Sequence, residues 1–301
     1  MGNYLIGQVI KRTRESLGLT QQELCEGICG LETISRIETG KQIPNRANFQ
    51  ALMERMGKCG EKYLPSVRSG DMEMIAWWRN IECLVAKQKY DRFYEEIEKF
   101  QCEIDLDDRV NQQAIRRISA LVDFYTHKIT AAEKRQRMEE ALRCTVPGYR
   151  EGNIPKGVFS RTEIRIFCNI AVSYAEEENY EAAICMMEQI QQYYLDTKID
   201  SRERAEGEVL ALSNYAQCLG RYGDTEKAVQ IGEKAMKICL EESKGNILSN
   251  ILYNIAFEKE LLGYDKKVYK ELLLQAYYIA ELNGDFKGMQ HIKNHMEKLN
   301  H

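Results

Sequence analysis

The sequence contains little proline and no long apolar run. Its 301 residues hold four prolines, and residues 156–301 hold none. Because proline interrupts helices, this tract predicts nearly continuous helix. No segment approaches the roughly 20 apolar residues of a membrane helix, and the N-terminus lacks the apolar core of a secretion signal. We therefore expect a cytoplasmic protein that makes no membrane contact.

The sequence also lacks the common signatures of metal sites and of catalysis. Its ten cysteines form no Cys-x-x-Cys pair, which favours buried apolar thiols over disulfides or zinc, with a redox role for Cys25 or Cys29 as an alternative. His291 and His295 lack the glutamate of a His-Glu-x-x-His site and predict an exposed helix face. Phosphate loops, nucleophile elbows and dinucleotide fingerprints are absent. We expect no enzyme activity, cofactor or metal.

Acidic residues are scarce at the N-terminal end. Residues 1–70 hold ten Lys and Arg against seven Glu and no Asp, which gives this segment a net charge of +3. Because the whole chain carries −4, residues 71–301 carry −7. Only this end of the chain is electrostatically suited to DNA.

A capping box marks the start of a helix in this basic segment. Thr20 and Glu23 have the Ser/Thr-x-x-Glu spacing in which each side chain accepts a hydrogen bond from a backbone amide of the first helical turn. Residues 4–17 before it carry apolar residues on one helical face and end at Gly18. A third helix, with Ile34 and Ile37 on its buried side, follows the interruption at residues 27–30. The pattern predicts a helix-turn-helix.

The strings Leu-Thr-Gln-Gln-Glu-Leu (residues 19–24) and Ile-Ser-Arg-Ile-Glu-Thr-Gly-Lys (residues 34–41) resemble those of the xenobiotic-response-element class of repressors. The resemblance covers residues 4–57 and implies an internal ion pair between Arg14 and Glu38. It also implies that the DNA-contacting residues are Gln21, Leu31, Glu32, Thr33, Arg36, Lys41 and Arg46. The alternative is that Thr20 to Glu38 forms two ordinary surface helices in a bundle.

An internal repeat dominates the rest of the chain. Phe167-x2-Ile170-Ala171 recurs 45 residues later as Leu212-x2-Tyr215-Ala216 and after 40 more as Leu252-x2-Ile255-Ala256. This alternation of large and small residues fits a tetratricopeptide helix pair, and two weaker copies precede it. The offsets exceed the standard 34 residues, so we expect longer helices or turns. About five helix pairs would stack into a right-handed solenoid with a concave face.

Asparagine stands immediately before the paired core positions in three successive copies, which predicts one row of carboxamides on the concave side. Carboxamides can both donate to and accept from the backbone of an extended peptide. The alternative is that asparagine is merely common at this position. The candidate peptide-binding residues are Asn169, Asn214, Gln217, Asn250, Tyr253 and Asn254.

Together the two parts resemble the RRNPP group of peptide-pheromone sensors. This implies an all-α protein: a five-helix-type helix-turn-helix domain over residues 1–64, a linker over 65–71 and a tetratricopeptide-like solenoid over 72–301. The function implied is a homodimeric transcriptional regulator that binds an inverted repeat in double-stranded DNA and is controlled by a short signalling peptide. Two alternatives remain: a protein-interaction scaffold, or a ligand-independent repressor whose solenoid only dimerises.

Overall fold

The N-terminal part of the chain forms four short helices. The structure, a computed structural model, describes residues 2–58, 70–197, 199, 201–242 and 247–299. The four helices are α1 (Gly2–Ser16), α2 (Gln21–Cys25), α3 (Leu31–Glu38) and α4 (Arg46–Arg55). A fifth helix of this domain would fall on residues 59–69, outside the described residues, as does the predicted linker except for its last two residues.

The local signals that start and end these helices act as the sequence predicts. Glu23 N donates to Thr20 Oγ1 at 3.1 Å, and Thr20 N donates to Glu23 Oε2 at 2.7 Å, so the capping box is complete. Asn45 caps α4 by accepting from Asn48 N at 2.8 Å. Gly18 and Gly27 have φ of +72° and +73°, a region that only glycine enters without strain, and each follows a helix end.

One apolar core holds the four helices together. The largest side chains of this core are at most 1% exposed, and they alternate with polar residues at helical spacing along α1, α3 and α4. These are Ile10, Leu24, Ile34, Ile37, Phe49 and Leu52. The predicted burial of Ile34 and Ile37 is confirmed, and it leaves the opposite face of α3 outside the core.

Eleven further helices make up the rest of the described chain. They are α5 (Gly70–Ala86), α6 (Tyr90–Glu103), α7 (Arg109–Tyr125), α8 (Ala131–Arg143), α9 (Arg161–Glu176), α10 (Tyr180–Asp196), α11 (Ser201–Tyr222), α12 (Thr225–Glu241), α13 (Leu248–Leu261), α14 (Lys266–Leu282) and α15 (Phe286–Lys298). Ten of them, α5 to α14, correspond to the five predicted repeats, and α15 follows. The all-α prediction is confirmed.

The repeat pattern corresponds to packed side chains. Ala171, Ala216 and Ala256 are at most 5% exposed, at the small positions where large residues of the neighbouring helices pack. The predicted extra length is also present, because α11 has 22 residues and its partner α12 has 17. Pro147 and Pro155 lie in the long connection between α8 and α9, outside both helices.

The chain divides into two compact units, Met1–Ser173 and Tyr174–His301. Within the first, α5, α6 and α7 share a core that includes Ile81, Phe93 and Ile118. Within the second, α11 to α15 pack in succession, and α11 also contacts α13. In the described residues, no helix is both long and apolar enough to span a membrane.

Candidate functional site

The outer face of α3 presents polar and apolar groups to solvent. Leu31 is 54% exposed, Glu32 and Arg36 are exposed, and Thr33 is half-buried. Glu32 and Arg36 lie on the side of α3 away from the buried Ile34 and Ile37, and Leu31 is exposed because it begins the helix. These residues carry groups that can contact base edges in a major groove: a guanidinium, a carboxylate, a hydroxyl with a methyl group and an apolar side chain.

A buried ion pair fixes α3 against α1. Arg14 Nε donates to Glu38 Oε1 at 2.6 Å, and Arg14 Nη2 donates to Glu38 Oε2 at 2.9 Å. The Arg14 side chain is 10% exposed and that of Glu38 is 2% exposed. The hydrogen bond to Glu38 raises the pKa of Arg14. The pair implied by the family resemblance is therefore present, and both residues are buried.

Gln21 belongs to the same network. Its amide Nε2 donates to Glu38 Oε2 at 2.8 Å, and the residue is half-buried. This bond positions the Gln21 carboxamide at the start of α2, beside α3. The Arg14–Glu38 pair therefore sets the orientation of this side chain, for which the sequence predicts a DNA contact.

The two predicted phosphate contacts follow α3. Lys41 is exposed, and its backbone N–H donates to Arg36 O at 2.8 Å, which holds the turn after α3 close to the helix end. Arg46 begins α4 and is half-buried. Both charged side chains lie on segments next to α3, as is required of contacts to DNA phosphates that position a protein on the duplex.

An acidic loop lies beside the first turn of α3. Asp105, Asp107 and Asp108 line one recess together with Gly30, which precedes α3. Asp108 also accepts from Asn45 Nδ2 at 2.7 Å. Arg109 lines the same recess, so three carboxylates and one guanidinium lie next to the N-terminal end of α3. No local sequence pattern indicates that this loop lies beside α3, because the two segments are far apart in the chain.

Arg55 joins the helix-turn-helix to the helices that follow. Its Nη2 donates to Glu163 Oε1 at 2.7 Å, and the two side chains are 3% and 1% exposed. The same guanidinium donates to the carbonyls of Leu24, at 3.1 Å, and Glu26, at 2.6 Å. One buried cation thus holds the end of α2, α4 and the start of α9 in a fixed arrangement.

Thr145 completes this contact. Its hydroxyl donates to Glu163 Oε1 at 2.6 Å, and its carbonyl accepts from Arg55 Nη2 at 3.0 Å. Gly27 lies so close that a Cβ there would overlap the Thr145 carbonyl. The sequence predicts only that Gly27 lies in the interruption between two helices. Its lack of a side chain is also required by this close approach, which no local pattern indicates.

The predicted peptide-contacting residues of the second unit lie on α11 and α13. Gln217 and Asn250 are exposed, while Asn214, Tyr253 and Asn254 are half-buried. The Nδ2 atom of Asn254 is buried, and no acceptor for it exists in the part of the chain that the structure describes. An unsatisfied buried donor is energetically costly. Asn169 lies on α9 in the other unit.

Helix α15 contacts this surface through two histidines. His291 Nε2 lies 2.9 Å from the Tyr253 hydroxyl, and His295 Nε2 lies 2.8 Å from Glu260 Oε2. The prediction of an exposed histidine face holds for His291 but is wrong for His295, whose side chain is 14% exposed. Packing against α13 is the physical reason. Among the described residues, no group of three or more His, Cys, Asp and Glu is arranged to hold a metal ion.

Comparison with known proteins identifies both parts of the chain. The model of the RNPP family C-terminal domain matches residues 78–294, and a helix-turn-helix model matches residues 10–64. No curated protein matches the sequence.

Solved structures share the fold over nearly the whole length. PlcR of Bacillus thuringiensis in complex with the peptide PapR7 and DNA has a TM-score of 0.64 at 18% identity, with 98% of each chain covered. Apo PlcR has a TM-score of 0.61 at 15% identity, covering 97% of this chain and 98% of that one. ComR from S. thermophilus in complex with DNA and its signalling peptide ComS has a TM-score of 0.53 at 18% identity, covering 96% and 97%.

Proposed function

The chain belongs to the RNPP family, and from this premise we propose that it is a sequence-specific, dimeric transcriptional regulator controlled by a short signalling peptide. The observation that carries the proposal is the joint presence of a complete helix-turn-helix, with the outer face of α3 exposed, and the RNPP repeat domain in one chain. A DNA-binding regulator of this kind acts in the cytoplasm. We assign it no catalytic reaction, since the proposed function requires none.

DNA recognition is assigned to α3 and its flanks. Arg36 would donate both hydrogen bonds of its guanidinium to guanine O6 and N7, and Glu32 would accept from cytosine N4. Thr33 and Leu31 would contact a thymine methyl, while Lys41 and Arg46 would neutralise phosphates. Gln21 would contact a phosphate or a base at the start of α2. Two copies related by a two-fold axis would bind an inverted repeat, with half-sites one or two helical turns apart.

Peptide recognition is assigned to α11 and α13. Relatives with this fold were solved with a peptide and DNA together, which supports a peptide ligand for this chain as well. The buried Nδ2 of Asn254 would donate to a peptide carbonyl, and Asn214 and Gln217 would extend the row of carboxamides. Asn250 and Tyr253 flank this row on α13, and Asn169, on α9 in the first unit, remains a predicted peptide contact by itself. The domain bounds 1–64, 65–71 and 72–301 are part of the same proposal.

The DNA half of the proposal is tested by selection from a random library of duplex DNA on the purified full chain, at about physiological salt, where non-specific binding is weak. Enrichment of an inverted repeat supports a dimeric regulator. Absence of any enriched sequence, with and without added peptide, contradicts DNA recognition and favours the scaffold alternative.

The peptide half is tested by equilibrium capture from a library of short linear peptides with free termini. Peptides retained by the wild-type chain but lost from the Asn214→Ala variant support the assigned site. If the chain binds operator DNA yet retains no peptide, the ligand-independent repressor alternative is correct.

A further inference from the structure

The outer face of α14 carries a row of apolar side chains that are exposed to solvent. Leu274, Tyr278 and Leu282 follow one another at a spacing of four residues, so they lie on one side of the helix. They are 46%, 57% and 86% exposed. The other side of α14, which includes Leu273 and Ala276, belongs to a core of the second unit. We call Leu274, Tyr278 and Leu282 the apolar stripe.

The repeat fold does not require apolar residues at these positions, as helix α12 of the preceding repeat shows. A shift of 41 residues aligns four buried positions of α12 with four of α14: Ala228 with Tyr269, Gly232 with Leu273, Ala235 with Ala276, and Cys239 with Ala280. The same shift aligns the stripe with Glu233, Lys237 and Glu241, which are exposed. Charged residues therefore suffice for folding at these positions, and the stripe contributes nothing to the core of its own chain.

The two ends of α14 carry opposite charge. Residues 266–271 contain three Lys and one Glu, whereas residues 281–285 contain one Glu, one Asp and no base. Lys267 and Glu281 are both exposed. They stand seven residues before and after Leu274, about two helical turns in each direction, and so lie on its side of the helix. The apolar stripe is thus accompanied by a basic end and an acidic end on the same face.

This face of α14 is complementary to itself. A two-fold axis perpendicular to the helix turns one copy end for end, so that the basic end of each helix lies opposite the acidic end of the other. In a two-fold contact the same patch of both subunits meets, which requires such self-complementarity. A contiguous exposed apolar patch with a polar rim is typical of an interaction site. The charge pattern therefore favours a second copy of this chain as the partner.

We propose that α14 forms the dimer contact, with the apolar stripe of one copy packed against the stripe of a second copy and the two helices antiparallel. Phe286, which is 71% exposed and stands four residues after Leu282, extends the apolar surface at the acidic end. The role of this contact in binding an inverted repeat rests on the proposed function. Self-association itself does not, because it needs neither DNA nor peptide.

Sedimentation equilibrium of the purified full chain, without DNA or peptide and at micromolar concentrations, tests the contact. We expect a wild-type dimer. Leu274→Glu and Tyr278→Lys introduce the residues that α12 carries at the same positions, and each should raise the dissociation constant by roughly tenfold or more, since each change occurs twice in the dimer. The control is Leu240→Glu, at a residue 60% exposed on α12 and outside the stripe, which should leave the constant unchanged.

Charge reversal tests the antiparallel arrangement. Lys267→Glu and Glu281→Lys should each weaken self-association, because each leaves one end of α14 without its opposite charge in the dimer. An equal mixture of the two variants should form a heterodimer that is more stable than either homodimer, since the two reversed ends then meet and attract. Circular dichroism of every variant confirms that its helix content matches that of the wild type.

Two results would overturn the proposal. One is a monomeric wild-type chain at these concentrations. The other is a wild-type dimer whose dissociation constant is the same in Leu274→Glu and Tyr278→Lys, which would place the contact elsewhere and leave the proposed dimeric regulator intact. Conversely, a stripe-dependent dimer that selects no DNA sequence would support this contact and contradict the proposed function alone.

Discussion

Arg14 and Glu38 face each other across two hydrogen bonds, of 2.6 and 2.9 Å, although 24 positions separate them in the sequence. The geometry is that of a bidentate guanidinium–carboxylate pair, and both side chains are nearly excluded from solvent. Because Gln21 also donates to Glu38, the pair links α1, the start of α2 and α3. The exposed face of α3 is thereby held in one orientation.

Removal of one partner from this pair should strongly destabilise the helix-turn-helix. Glu38→Gln removes the buried counter-charge of Arg14 and leaves only the exposed Glu15 carboxylate near it. We expect a loss of about 3–5 kcal/mol in the free energy of unfolding, measured by urea denaturation. Glu15→Gln is the matched control, because Glu15 lies 3.6 Å from the same guanidinium and is 52% exposed. It should cost less than about 0.5 kcal/mol. Equal losses in the two variants would contradict the account.

Gly27→Ala should cost more stability than Gly152→Ala. The two glycines have φ of +73° and +71°, so each alanine carries a similar conformational cost of about 1–2 kcal/mol. Only at position 27 would the new Cβ meet the Thr145 carbonyl, whereas nothing lies within 4 Å of position 152. The overlap should add about 1–3 kcal/mol. Equal urea-unfolding free energies for the two variants would disprove the close contact.

Arg36→Ala should lower operator selectivity. If Arg36 contacts a guanine, its loss should cost roughly 1–3 kcal/mol and relax preference at one base position in each half-site. Lys41→Ala should instead weaken binding to all sequences. It should also reduce the slope of log affinity against log salt concentration by about one. Lys237→Ala, a change at a residue 74% exposed on α12, is the control. Competition titrations with matched and mismatched duplexes distinguish these results. Unchanged selectivity in Arg36→Ala would show that Arg36 does not contact a base.

Asn254→Ala should impair peptide binding without lowering stability. The Nδ2 atom of Asn254 is a buried donor for which the described residues provide no acceptor, so its removal relieves an unfavourable group. We expect peptide affinity to fall at least tenfold by calorimetry, which corresponds to about 1.4 kcal/mol. The unfolding free energy should stay constant or rise. A stability loss of several kcal/mol would mean that Asn254 has a structural role instead.

Local signals account for what the sequence predicts correctly. The Thr20–Glu23 capping box, Gly18 and the spacing of Ile34 and Ile37 each act within one or two helical turns, so they are readable from a short segment. The repeat is readable because its small residues recur at fixed positions. The Arg14–Glu38 pair required the family resemblance, since no spacing rule connects two residues so far apart.

The contacts that the sequence analysis missed are long-range. Arg55 and Glu163 are 108 positions apart. Glu163 forms a capping box with Ser160 at the start of α9, but that local pattern does not indicate its pairing with Arg55. The acidic loop at Asp105, Asp107 and Asp108 lies beside α3 only because of tertiary packing. His295 illustrates the same limit: its amphipathic position predicts exposure, but its neighbour Glu260 comes from α13. Tertiary contacts of this kind leave no local periodicity.

The most direct test of the central claim is the coupling between peptide and DNA. The dissociation constant for the selected inverted-repeat duplex is measured by fluorescence anisotropy, without and with a saturating amount of a peptide captured from the library. We predict that the peptide changes the constant by roughly 5- to 150-fold, and that Asn254→Ala abolishes the change at the same peptide concentration. An identical constant with the peptide demonstrably bound would contradict peptide control of DNA binding.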